Sequence, residues 1–229
     1  MLRRPTPTAQ RLLARAAASP GVWLSVWLMV SLALGALAWA GLSHAQQQEQ
    51  FTSEERARLD AGRLVMRSSA RTQGQLQMIG GTSWQVVDEP IDVTWRAICD
   101  AEQYRHMFPS TSESVVVAHA PGERVVRLRH EYGPVTAQYY LRMQLDEPHH
   151  DIAFRLDRQR PSDLRAAWGF LSARPYGEGD DRTLISWGIM ADVGGGMLGG
   201  LFRGQIHENM LRVPATIRGY LQGAGRGRY

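Results

Sequence analysis

Six runs of alternating apolar and polar residues, at about 113–119, 123–132, 135–146, 151–157, 163–175 and 182–192, follow one another with only short breaks between them. A period of two places successive side chains on opposite faces of an extended strand. The breaks carry turn chemistry: Pro121-Gly122, Gly133-Pro134, Glu147-Pro148-His149-His150, Arg160-Pro161-Ser162 and Gly177-Glu178-Gly179-Asp180. Links of this length join antiparallel neighbours, because parallel strands need a crossover of a dozen or more residues. An earlier strand region at about 75–87 raises the expected sheet to about seven strands, paired in an antiparallel meander.

Helical signals flank the sheet. Thr52-Ser53-Glu54-Glu55 reads as a capping box opening a short helix that Gly62 closes. Pro90 suits a first helical turn, with Ile91, Trp95 and Ile98 on one face, and a second short helix over 101–107 ends at Phe108-Pro109. After Gly194-Gly195-Gly196, the residues Leu201, Phe202, Ile206, Met210, Val213, Ile217 and Leu221 recur at helical spacing, which predicts one long final helix. Pro214 removes the bond to Met210 and is expected to kink it.

The N-terminus sets a separate constraint. Residues 21–42 contain no charged side chain, and Arg3, Arg4, Arg11 and Arg15 precede them without an acidic residue. Ser43-His44-Ala45 then offers small residues to a signal peptidase. This order is that of an export signal, yet a run of this length also suffices to cross a bilayer as an uncleaved anchor. Either way the arginines stay inside and the remainder is expected outside the cytoplasm, periplasmic or secreted, and tethered to the inner membrane if the segment is kept as an anchor.

Charge must be read with that segment removed. The chain has 26 basic and 22 acidic residues, and four of the basic ones lie before Gln46 with no acid beside them. The part beyond Ala45 is therefore formally neutral, so no basic face for nucleic acid is expected. Every basic residue is arginine, which excludes a lysine Schiff base. Cys99 is the only cysteine. It permits neither an intramolecular disulfide nor a thiolate zinc site, and its apolar setting reads as a buried thiol. No cofactor is called for.

Three segments carry a family likeness: Gly62-Arg63-Leu64-Val65, then Asp88-Glu89-Pro90-Ile91-Asp92-Val93-Thr94-Trp95, then residues 100–109, Asp-Ala-Glu-Gln-Tyr-Arg-His-Met-Phe-Pro. Pro followed by Val-x-x-Trp, then Asp and a Tyr leading into Phe-Pro, resembles the START-like superfamily of polyketide cyclases, lipid-transfer domains and coenzyme Q-binding proteins. The likeness spans about 63–222. It implies an α+β helix-grip fold, a curved antiparallel sheet wrapped around a long C-terminal helix. The expected layout is signal or anchor at 1–45, linker and short helix at 46–62, helix-grip domain at 63–222, and a flexible tail at 223–229. The likeness also implies a hydrophobic small molecule or lipid as partner, held in a cavity beneath the final helix, with a carrier or sensor role favoured over a cyclase-like or hydrolase-like enzyme or a ligand-free interaction domain.

Alternation assigns candidate walls to that cavity. Leu128, His130 and Tyr132 share one face with Val126, Tyr139, Leu141 and Met143 share one with Leu145, Phe154 lies on the next strand, and Trp168 and Phe170 on the one beyond. Met197, Leu201, Phe202, Ile206 and Met210 would close it from above. Alternation fits a filled core as well as a hollow one. His130, alone on an apolar face, reads more simply as a hydrogen-bonded core residue than as a base, and Tyr132 and Tyr139 offer hydroxyls to a ligand. The glycines of 194–200 fit a loop that gates the cavity or one that merely connects. Neither His149-His150 on a hairpin tip nor His207-Glu208 without a second histidine forms a metal motif.

Overall fold

The computed structural model describes residues 51–194 and 203–229, and the segment 21–42 lies outside them. Among the described residues helix α1 (Ser53–Asp60) comes first, followed by a strand pair, β1 (Val65–Gln73) and β2 (Leu76–Val87). Helix α2 (Ile91–Cys99), a 3-10 turn (Ala101–Gln103) and the short α3 (Tyr104–Met107) lead into the meander. Its strands are β3 (Thr111–Ala120), β4 (Glu123–Tyr132), β5 (Val135–Asp146), β6 (Asp151–Leu156), β7 (Ala166–Pro175) and β8 (Thr183–Asp192). Helices α4 (Arg203–Leu211) and α5 (Val213–Gln222) close the chain. Among the described residues no helix is long and apolar enough to cross a membrane.

All strands pair antiparallel in one curved sheet of order β1-β2-β8-β7-β6-β5-β4-β3. The two-residue links at Gly122 and Gly133 take φ +68° and +58°, where glycine carries no Cβ penalty, so the hairpins close tightly and fix the register. The sheet has eight strands where about seven are expected. The additional one is β1, of which only Val65 is buried. As an edge strand it is held by main-chain bonds to β2, so its polar run Arg67-Ser68-Ser69 needs no alternation to pair.

The concave face carries the core. Leu128, Met143, Ile152, Leu171 and Ile185 of the sheet pack against Ile98 of α2, Tyr104 and Met107 of α3, and Ile217 and Leu221 of α5. Val87 belongs to this cluster while its neighbour Val86 belongs to another, so the second cluster lies on the opposite face of β2. There Leu59 of α1 covers Val65, Trp84 and Val86. The capping box forms, with the Glu55 N–H donating to Thr52 Oγ1 at 3.2 Å and the Thr52 N–H to Glu55 Oε2 at 2.8 Å. Arg67 grips the same carboxylate, which holds Glu55 well below the usual carboxylate range, at about 2.

Two sequence expectations change. The single long final helix is two helices, α4 and α5, separated at Arg212. Pro214 has no N–H to give the Met210 carbonyl, and the Trp187 indole N–H donates to that carbonyl instead, at 2.7 Å. The tail, expected to be loose, turns back on the domain. Tyr229 donates its hydroxyl to Asp100 at 3.0 Å, and its oxygen lies 3.2 Å from the Tyr220 hydroxyl.

Candidate functional site

A cavity of about 70 Å³ lies between the concave sheet and the α4–α5 pair. Its floor is built by inward residues of five strands: His130 of β4, Ala137, Tyr139 and Leu141 of β5, Phe154 of β6, Ala167 of β7, and Trp187, Ile189 and Ala191 of β8. Ile206, Asn209 and Met210 of α4, with Val213 at the start of α5, form the roof. Phe108, Pro109, Leu164 and Val193 complete the rim. Apolar side chains dominate, and the polar groups are few.

The polar wall is built around His130. Its ring lies parallel to that of Tyr139, with centroids 5.4 Å apart, as diagonal neighbours on adjacent strands allow. Nδ1 is 3.2 Å from the Pro109 carbonyl oxygen and 3.2 Å from Thr111 Oγ1, while Nε2 is 2.7 Å from the Tyr139 hydroxyl. A carbonyl only accepts, so the proton of the neutral ring sits on Nδ1 and Nε2 accepts the Tyr139 proton. Burial pushes the imidazole down to about 4, against a weaker upward pull from the Pro109 carbonyl. His130 is therefore neutral at physiological pH. The pair can orient a hydrogen-bonding group of a ligand, or act as a base relayed through a phenol.

Of the residues named from sequence, His130, Tyr139, Leu141, Phe154, Ile206 and Met210 come together around this space. Leu128 and Met143 face the same side but are packed within the core, away from the cavity walls. Trp168 and Phe170 require correction. In β7 the inward residues are Ala167, Leu171 and Ala173, while Trp168 lies on the outer face beside Arg142, Arg155 and Asp157. Phe170 shares that face, over Gly188. The run Ala166-Ala167-Trp168-Gly169-Phe170-Leu171 is apolar at both parities, and bulk suggests the wrong one. Small residues are needed inside, because Phe154 stacks on Trp187 at 4.9 Å and its ring occupies the place a side chain on Gly169 would take. Tyr132 ends β4 opposite Val135, and its side chain lies outside the described part of the structure. Met197, Leu201, Phe202 and the glycine-rich gate also fall outside the described residues, apart from Gly194, whose N–H donates to Asp192 at 2.7 Å.

Sequence reasoning missed the β8 wall and Asn209. The pattern Ile185, Trp187, Ile189, Ala191 is readable in the run 182–192, and continuing the alternation one strand further would have found it. Asn209 carries no such signal, since it lies next to Met210 on a helix whose apolar stripe does not include it. Three further histidines are placed elsewhere. His149 pairs with Asp146 at 2.9 Å, His150 sets its ring against Trp95, and His207 donates to the Gly80 carbonyl at 2.6 Å. Asp163 accepts from the Gln138 N–H at 2.7 Å and is not among the cavity walls.

Comparisons with known proteins agree with this architecture. The Zhui aromatase/cyclase from Streptomyces sp. R1128 superposes with a TM-score of 0.54 at 18% identity, over 66% of this chain and 98% of that one. A STAR-related lipid transfer protein from Xanthomonas axonopodis gives 0.54 at 12% identity, over 68% and 98%. At such identities the likeness establishes the shared fold. No curated protein matches the sequence. The profile of the family described as polyketide cyclase / dehydrase and lipid transport matches residues 87–213, more than half of the chain. With a hydrophobic cavity roofed by helices on a curved antiparallel sheet, the chain belongs to the polyketide cyclase / dehydrase and lipid transport family, as a START-like hydrophobic-ligand-binding domain.

Proposed function

We propose that this protein is a carrier or sensor that holds a hydrophobic small molecule or lipid outside the cytoplasm, delivered there by its N-terminal segment. The observation that carries this reading is the apolar cavity between sheet and roof, walled by Leu141, Phe154, Trp187 and Ile206 and bearing one polar patch. Apolar enclosure with a few convergent polar groups is the usual make-up of a small-molecule site. At about 70 Å³ the space is well below the roughly 300–1,000 Å³ of sites for drug-sized ligands. Uptake of a lipid therefore requires α4 and α5 to shift from the sheet. Native mass spectrometry of the full chain, before and after organic extraction, tests the reading. An extractable hydrophobic mass is expected. Absence of any such mass, together with no uptake of Nile red by the extracted protein, would overturn it.

A cyclase-like or hydrolase-like activity is the second reading. It is favoured by the 2.7 Å contact between a neutral His130 and the Tyr139 phenol on the cavity wall, a base and a hydroxyl already in hydrogen-bond reach. Turnover of an aryl ester or thioester probe that disappears in both His130→Gln and Tyr139→Phe would favour the enzyme over the carrier.

A further inference from the structure

From the chemistry of the cavity walls we infer that the site takes an uncharged hydrophobe bearing a hydroxyl group and rejects carboxylates and phosphates. This inference rests on the ligand-binding reading above and narrows it. No arginine, aspartate or glutamate lines the cavity among the described residues. Residues 195–202, which lie outside the description, contain only Gly, Met, Leu and Phe, so they bring no ionisable side chain. Several charged groups close in sequence to the lining are engaged elsewhere: Asp163 accepts from Gln138, Arg165 faces Asp192, Glu208 pairs with Arg212, and Arg203 donates to the Gln77 carbonyl. A ligand anion drawn beneath the roof would lose its hydration with no cation among the described walls to replace it.

The polar wall is suited to a hydroxyl. Tyr139 gives its proton to His130, so any hydrogen bond between its oxygen and a ligand hydroxyl is one that the oxygen accepts. Asn209 adds a carboxamide that both donates and accepts, and it makes no side-chain hydrogen bond to the described residues. A hydroxyl, donor and acceptor at once, matches both.

Equilibrium binding of naphthalene, 2-naphthol and 2-naphthoate to the full-length protein at about pH 7.5 tests the inference, since the three share one apolar body. The naphthol is expected to bind about 5- to 10-fold more tightly than naphthalene, the worth of one net hydrogen bond, and the naphthoate at least about 30-fold more weakly than the naphthol. Tyr139→Phe, checked for folding by thermal melting, should reduce the preference of naphthol over naphthalene. Naphthoate binding as tightly as naphthol would overturn the inference while leaving a ligand site standing, and so would equal affinity for naphthol and naphthalene. Failure of all three to bind would remove the ligand-binding reading and this inference with it. Should the variant not fold, the wild-type order of the three probes still decides.

Discussion

Burial of His130 between Tyr139 and the Pro109 carbonyl makes the domain's stability sensitive to mild acid. In the folded state its imidazole is pushed down to about 4 from an ordinary 6.5, so between those values the unfolded chain holds a proton that the folded one does not. Stability is complete above about pH 6.5 and falls as the pH drops toward 4, by an amount on the order of 3 kcal/mol. Urea unfolding at pH 7, 5.5 and 4.5 should show this loss, and His130→Gln should flatten the change across that window. An equally steep dependence in the variant would assign the effect to other groups. Burial acts in the opposite sense on Cys99, whose thiol is pushed up to about 12. Both shifts follow from the residues' surroundings, which their neighbours in sequence only partly announce.

Pro214 and Trp187 together determine how the final helical segment breaks. In an unbroken helix the N–H of residue 214 would bond the Met210 carbonyl, but proline has none, and β8 supplies the Trp187 indole in its place. The kink thereby becomes a tertiary joint between roof and floor of the cavity. Replacing Trp187 by Phe keeps most of the stacking on Phe154 but leaves that carbonyl without its partner, at an expected cost of about 1–3 kcal/mol in chemical denaturation. Adding Pro214→Ala restores a backbone N–H to Met210 and should recover part of the loss. Additive effects in the double variant would refute the joint, because coupling between the two positions is what the shared carbonyl requires. The expected kink was legible from Pro214 alone. Its consequence, two helices pinned by a tryptophan 23 residues before the carbonyl it bonds, was not.

For the molecule as a whole, the N-terminal 45 residues and the domain after them carry different kinds of information. Four arginines, a charge-free run at 21–42 and Ser43-His44-Ala45 predict export with the arginines inside. Cell fractionation should find the protein in the periplasm or on the inner membrane, with an N-terminus at Gln46 if the segment is cleaved. An intact chain soluble in the cytoplasm would overturn export. Within the domain, alternation and turn residues determined the meander, its antiparallel pairing and its inward faces on β4, β5 and β6, because a period of two and a two-residue turn act locally. Edge strand β1 escaped, since its pairing is made by the backbone of β2 and leaves no trace in side-chain polarity. Only the tertiary structure decided which parity of β7 faces inward, because Phe154 and Trp187 had already filled the interior there and both parities of that strand are apolar. It also decided that Leu141 lines a cavity while Leu128 and Met143, in the same core cluster, do not: alternation assigns a face, and only the packing of distant elements leaves or fills space above it.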